Sequence, residues 1–320
     1  MVLETALGDP VFWMAALAGG AFGAAIGALP AFVFTGFMVI AGEAAVFAGA
    51  GDEITGAIGF GPIFGPHIAF AGGAAAAAYA AKQGYPELDD GKDIASALGT
   101  HRIDVLAVGA IFGVFGFAAT ELLNYVGFGT DNIALIVFVS ALVHRVVFGY
   151  DIIGEVYGDN VFDMGPAERD EEKAPGIWLP WQYKWSGVAS IGIIGGLIGG
   201  FVYLVTESPV LVFGISAASL VLLNCGVDNF PVTHHITLPG SVGAFGALSA
   251  GMSEPVVMLF ALAFGVFGAL MGEVCNRVFY AHGKTHVDPP AFGIAASGLL
   301  ATVLVAIGVF DASIWPTFGF

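Results

Sequence analysis

Ten long apolar runs, separated by short stretches of acids, glycine and proline, set the pattern of this chain. They occupy approximately residues 11–28, 30–50, 56–82, 103–127, 131–150, 186–206, 209–226, 230–250, 255–278 and 289–310. Most are almost free of charge over roughly 18 residues or more, the length a helix needs to cross the hydrocarbon core of a bilayer. Pro10, Pro30, Pro209, Pro255 and Pro289 sit at their starts, where a missing backbone N–H costs nothing. The pattern predicts an all-α polytopic membrane protein with about ten transmembrane helices.

The runs repeat. Phe112-Gly113-Val114-Phe115-Gly116 with Glu121 and Asn124 returns as Phe264-Gly265-Val266-Phe267-Gly268 with Glu273 and Asn276. His67-Ile68-Ala69-Phe70-Ala71-Gly72 returns as His235-Ile236-Thr237-Leu238-Pro239-Gly240. Gly19-Gly20 with Pro30 and Gly36 returns as Gly195-Gly196 with Pro209 and Gly214, and Asp131 returns as Asp288. The order of blocks is the same in both halves. This divides the chain into a first five-span repeat over 1–150, an acidic connector over 151–184 and a second five-span repeat over 185–320. An odd number of spans per repeat inverts one half relative to the other.

Basic residues set the direction, since they favour the cytoplasmic side. They group at Lys82, Lys92 and Arg102, at Arg145, Arg169, Lys173 and Lys184, and at Arg277 and Lys284. All fall on one side if the segments holding His67 and His235 cross fully; re-entrant segments would put Arg277 and Lys284 opposite. Full crossing is the expectation, with both termini outside and the connector cytoplasmic. Trp178, Trp181, Tyr183 and Trp185 mark an interface before the sixth segment. Met1 to Pro10 has two acids and no basic residue, unlike a cleavable signal.

Composition agrees. Hydrophobic residues are 57% and charged residues 11% of the chain, against about 25% charged in soluble domains. A net charge of -17 crowds the loops at Glu87, Asp89, Asp90, Asp93, Asp159, Asp163, Glu168, Asp170, Glu171 and Glu172. Such a surface repels nucleic acid and suits the high-salt interior of a halophilic archaeal host, where self-repulsion is screened. The 48 glycines allow helices to approach closely and leave a homo-oligomer open. Cys225 and Cys275 read as small core residues.

Chemistry is expected around the histidines. Two prolines and three glycines precede His67, and Pro231 and Pro239 flank His234 and His235, so both segments are broken helices. Broken backbone at membrane depth is tolerated where it lines a cavity or is buried in protein. His67, His234 and His235, with Thr233 and Thr237, are the candidate lining of a solute path at the repeat interface. The alternative is hydrogen-bonded structural histidine. Glu121 with Asn124, and Glu273 with Asn276, lie on single helix faces and are expected either to flank that path or to clamp neighbouring helices. Glu43 is a further buried acid. Asp131 and Asp288 read as helix caps, and His286 beside Asp288 is a weak metal-ligand pair.

No nucleotide-binding loop, metalloprotease signature or nucleophile elbow occurs, and no cofactor is expected. The function expected is channel-like or secondary transport of a small solute or cation across the lipid bilayer. A structural or accessory subunit, or an intramembrane metalloenzyme, are the alternatives.

Overall fold

Helix starts and stops follow the punctuation of the sequence. The structure is a computed structural model and describes residues 6–86, 88, 90–97, 102–156, 158–164, 178–179 and 181–315. Glu87, Asp89, Glu168, Arg169, Asp170, Glu171, Glu172 and Lys173 lie outside the described residues. Each of the ten apolar segments carries helix: α1 (Pro10–Ile26), α2 (Ala28–Phe47), α3 (Ala69–Gln83), α4 (Ile103–Tyr125), α5 (Asn132–Phe148), α6 (Trp185–Thr206), α7 (Leu211–Ser219) with α8 (Val221–Asn224), α9 (His234–Ser249), α10 (Glu254–Cys275) and α11 (Pro289–Ala306). Among the described residues there is no strand, only a bridge between Gly91 and Thr285.

Three starts share one device. Asp9, Asp131 and Asp288 each accept a hydrogen bond from the backbone N–H of Val11, Ala134 and Ala291, satisfying a donor that the first turn leaves free. Left-handed Gly84 and Gly149 close α3 and α5.

Among the described residues five helices are long and apolar enough to cross a membrane: Ala28–Phe47, Ile103–Tyr125, Trp185–Thr206, Glu254–Tyr280 and Pro289–Ala306. The other apolar segments carry shorter helices. The reason is local for α3 and α9, which have 15 and 16 residues. At that length a helix spans about 23 Å, less than the ~30 Å hydrocarbon core. The stretch Phe60–Ile68, with Pro62 and Pro66, forms turns between a π-helical turn (Ile54–Gly59) and α3. Non-helical backbone from Cys225 to Thr233, including Asn229 at φ 60°, precedes α9.

Helices α1, α3 and α4 pack on one another, and so do α6, α9 and α10. Matching small residues make both sets possible. A side chain on Gly116 would meet the carbonyl of His67, and one on Gly268 would meet the carbonyl of His235. The halves join through α2 on α7 and α5 on α11. Gly36 touches Gly214 and Ala218, while Glu43, two turns further on, reaches Ser208; α2 and α7 therefore run antiparallel. The same holds for α5 and α11. Thr130, ahead of α5, donates to the Ala295 carbonyl within α11, while Arg145 in the last turn of α5 holds Thr285, ahead of α11.

Arg145 is fully buried and donates to Thr285 Oγ1 (2.8 Å), the Thr285 carbonyl (2.7 Å), and the carbonyls of Ile152 (2.6 Å) and Phe279 (2.8 Å). It therefore ties α5 to the loop that opens α11. Lys82 donates to the Gly149 carbonyl, and Lys82, Lys92 and Lys284 line one groove, so members of the first and third basic groups share a face of the bundle.

Candidate functional site

Successive helix positions are about 100° apart, so His234 and His235, opening α9, point in different directions. His234 packs at a tilt on Phe32 (4.7 Å between ring centres) and edge-to-face with Phe213 (5.9 Å), rings from both halves. His235 faces Trp178 at 6.0 Å and Gly272 of α10. His67 is buried in the turn before α3, with its ring against Gly65. His234 lines a cavity of about 470 Å³ at the junction of the halves; His67 and His235 lie outside its lining.

The cavity wall comes from the two halves at matching positions. The register that aligns His67 with His235 pairs Pro66 with His234 and Phe70 with Leu238, and all four line the cavity. The register that aligns Asp131 with Asp288 pairs Ala134 with Ala291 and Val137 with Ile294, and these line it too. Phe32, Phe60, Phe213, Trp178 and Trp315 complete an aromatic wall.

Polar groups are few. His286 Nε2 lies 3.2 Å from Asp288 Oδ1, while Asp288 Oδ2 caps α11. The ring of His286 packs between Phe70 (5.6 Å) and Tyr280 (5.4 Å). Asn132 Nδ2 donates to Asn124 Oδ1 (2.9 Å) and to the Phe128 carbonyl (3.3 Å). Three buried atoms of the lining residues have no hydrogen-bond partner: His234 Nδ1, His286 Nδ1 and Asn132 Oδ1. Among the described residues no group of three or more His, Cys, Asp or Glu side chains is arranged to hold a metal ion.

The remaining sequence candidates fall elsewhere. Thr237 Oγ1 pairs with Ser216 Oγ at 2.9 Å, tying α9 to α7, and the Thr233 carbonyl accepts from Ile236 and Thr237 in the first turn of α9. The two glutamates have unlike surroundings. Glu273 is buried and paired with Arg277 at 2.7 Å and with Asn276 at 3.1 Å, and Asn276 also accepts from the backbone N–H of Trp178. Glu121 is half-buried, and the position matching Arg277 is Tyr125. Asn124 does line the cavity. From the sequence, Asp288 read as a helix cap and His286 beside it as a weak metal-ligand partner, and the aromatic wall was missed. The recurrence of Asp131 as Asp288, each followed by lining positions in the same register, was the signal available.

Outside the spans, burial pushes the Lys92 ammonium down to about 8, opposed by Asp90 and reinforced by Arg145; its Nζ lies 4.5 Å from the centre of the Tyr280 ring.

The fold and cavity define an all-helical bundle whose five long apolar helices fit insertion in a membrane. The chain belongs to a family of unknown function (DUF7973), whose profile matches residues 2–318. No curated protein and no solved structure matches it.

Proposed function

We propose that the chain is a multi-pass membrane transport protein, built from two inverted five-span halves, that passes a small solute or cation through the cavity at their junction. The observation that carries this reading is the paired lining: Pro66 with His234, Phe70 with Leu238, Ala134 with Ala291 and Val137 with Ile294. Paired walls are what a pseudo-twofold axis through a site produces, and transporters of inverted repeats place solute at that interface. The antiparallel contacts α2 on α7 and α5 on α11 support the inversion, because an axis in the membrane plane sets equivalent helices antiparallel. Lys82, Lys92 and Lys284 on one face support a cytoplasmic position for that face, with the connector beside it and both termini opposite.

In this reading α3 and α9 complete their crossings through broken backbone, which membrane depth tolerates where protein covers it. Asn124 lines the cavity, while Glu273 with Asn276 and Arg277 clamps the packing beside Trp178. His67 and His235 act from behind the cavity wall, holding the breaks against α4 and α10, while His234 meets the solute. The test is flux of labelled small solutes and cations into vesicles holding the full chain. Expected is uptake of at least one solute that Val137→Trp, which fills the cavity, abolishes. Flux equal to that of empty vesicles for every solute tried would overturn the reading and favour an accessory subunit.

A further inference from the structure

The chemistry of the cavity wall deepens the transport reading, on which it rests for the path but not for the binding site. Two carboxylates, Asp131 and Asp288, line the cavity, and among the described residues no lysine or arginine does. They belong to opposite ends of the α5/α11 pair. Fourteen residues, about 21 Å of helix, separate Asp131 from Arg145, which bonds Thr285 just ahead of Asp288. Between them the wall is aromatic and aliphatic, with Phe32, Phe70, Phe213, Trp178 and Trp315; its imidazoles are His234 and His286, and His286 already meets Asp288 at 3.2 Å.

The unpaired polar atoms point the same way. Asn132 spends both amide hydrogens on Asn124 and Phe128, so its free Oδ1 is an acceptor. When His286 donates from Nε2 to Asp288, its free Nδ1 in the neutral ring is an acceptor too. A buried acceptor without a donor is costly, so an occupant is favoured if it brings N–H or O–H groups. Aromatic faces attract cations and cover apolar bodies equally well. An anion finds two carboxylates and, among the described residues, no lysine or arginine. A bare inorganic cation finds acceptors, but leaves the apolar wall, most of the cavity surface, without a partner.

We propose that the cavity binds a protonated organic amine with an apolar body. Its ammonium group lies against Asp288 and His286 or against Asp131, which recurs as Asp288, and the neighbouring Asn132, and its body lies between Phe32, Phe70 and Phe213.

The test is calorimetric titration of the full chain in lipid nanodiscs with phenethylammonium chloride, 2-phenylethanol and potassium chloride. The alcohol has the same ring and chain without the charge. Expected is amine binding at least about tenfold tighter than alcohol binding, from charge and cation–π attraction together, with no saturable potassium heat. Asparagine is as good a helix cap as aspartate, so Asp131→Asn and Asp288→Asn remove charge and keep the helix start. The double variant is expected to lose the preference for amine over alcohol. Equal affinities in the parent, or a preference intact in the double variant, would overturn the proposal; the parent comparison stands even if a variant fails to fold. Flux of urea or potassium blocked by Val137→Trp, without amine binding, overturns the amine and leaves transport intact. Amine binding by a protein that moves nothing overturns transport and leaves the site.

Discussion

Glu43 Oε2 accepts a hydrogen bond from Ser208 Oγ at 2.6 Å, joining two residues 165 positions apart across the junction of the halves. Glu43 Oε1 accepts a second from Thr55 Oγ1 at 2.8 Å, on the π-helical turn before the first broken segment. Ser208 Oγ in turn accepts from the backbone N–H of Leu211, at the start of α7. One buried carboxyl thus ties α2 to the irregular turn and to the other half.

Removing one donor from that carboxyl leaves it under-satisfied in an apolar setting. Ser208→Ala is expected to lower stability by about 1–3 kcal/mol, and Thr55→Val by a similar amount. Thermal unfolding of solubilised protein measures both. Because the two hydroxyls share one carboxyl, the double variant is expected to depart from additivity.

Gly116 and Gly268 lie against the carbonyls of His67 and His235. Alanine at either is expected to push the broken segment off its helix and lower the melting temperature, with the two effects similar in size. Gly187, near the start of α6, has nothing within 4 Å of an added Cβ. There alanine is expected to stabilise by about 0.5–1 kcal/mol through helix propensity. A loss at Gly187 as large as at Gly116 would contradict the close-approach account.

Asp131 and Asp288 each cap a helix that lines the cavity. Asp131→Ala and Asp288→Ala are each expected to cost about 0.5–2 kcal/mol, and the asparagine variants much less. Melting temperatures of the four variants, compared pairwise, separate the cap from the charge. Equal losses for alanine and asparagine would mean that the charge, not the cap, holds the helix start.

Burial lowers the Lys92 ammonium from its ordinary 10.5 to about 8. The unfolded chain therefore holds a proton there that the folded chain has released between those two values. Stability from this group rises with pH across that window and is flat below it. Lys92→Met is expected to remove that rise, read as the difference in melting temperature between pH 8 and pH 10. An unchanged pH slope would show that Lys92 is not the group responsible.

Much of the fold was legible because helices in apolar runs are decided locally. Asp131 and Asp288 stood where caps belong, Pro10 and Pro289 at first helical positions, and the prolines around His67 and His235 interrupted helices as their chemistry requires. The ten spans were legible only as ten apolar segments; five helices reach crossing length, since composition counts residues while broken backbone shortens the helix within a run. The site was half legible. His234 and His235 were indistinguishable as neighbours in sequence, yet the turn of α9 sends one to the cavity and the other to α10.

The sequence by itself determined the helical segments, their caps and breaks, and the duplication, because each depends on residues a few positions apart or on simple recurrence. Only the tertiary structure decided that α2 meets α7 and α5 meets α11, and that Asp131 and Asp288 share a cavity. Those facts depend on which faces of distant helices touch, and that is settled by the fit of glycines and aromatic rings across the junction.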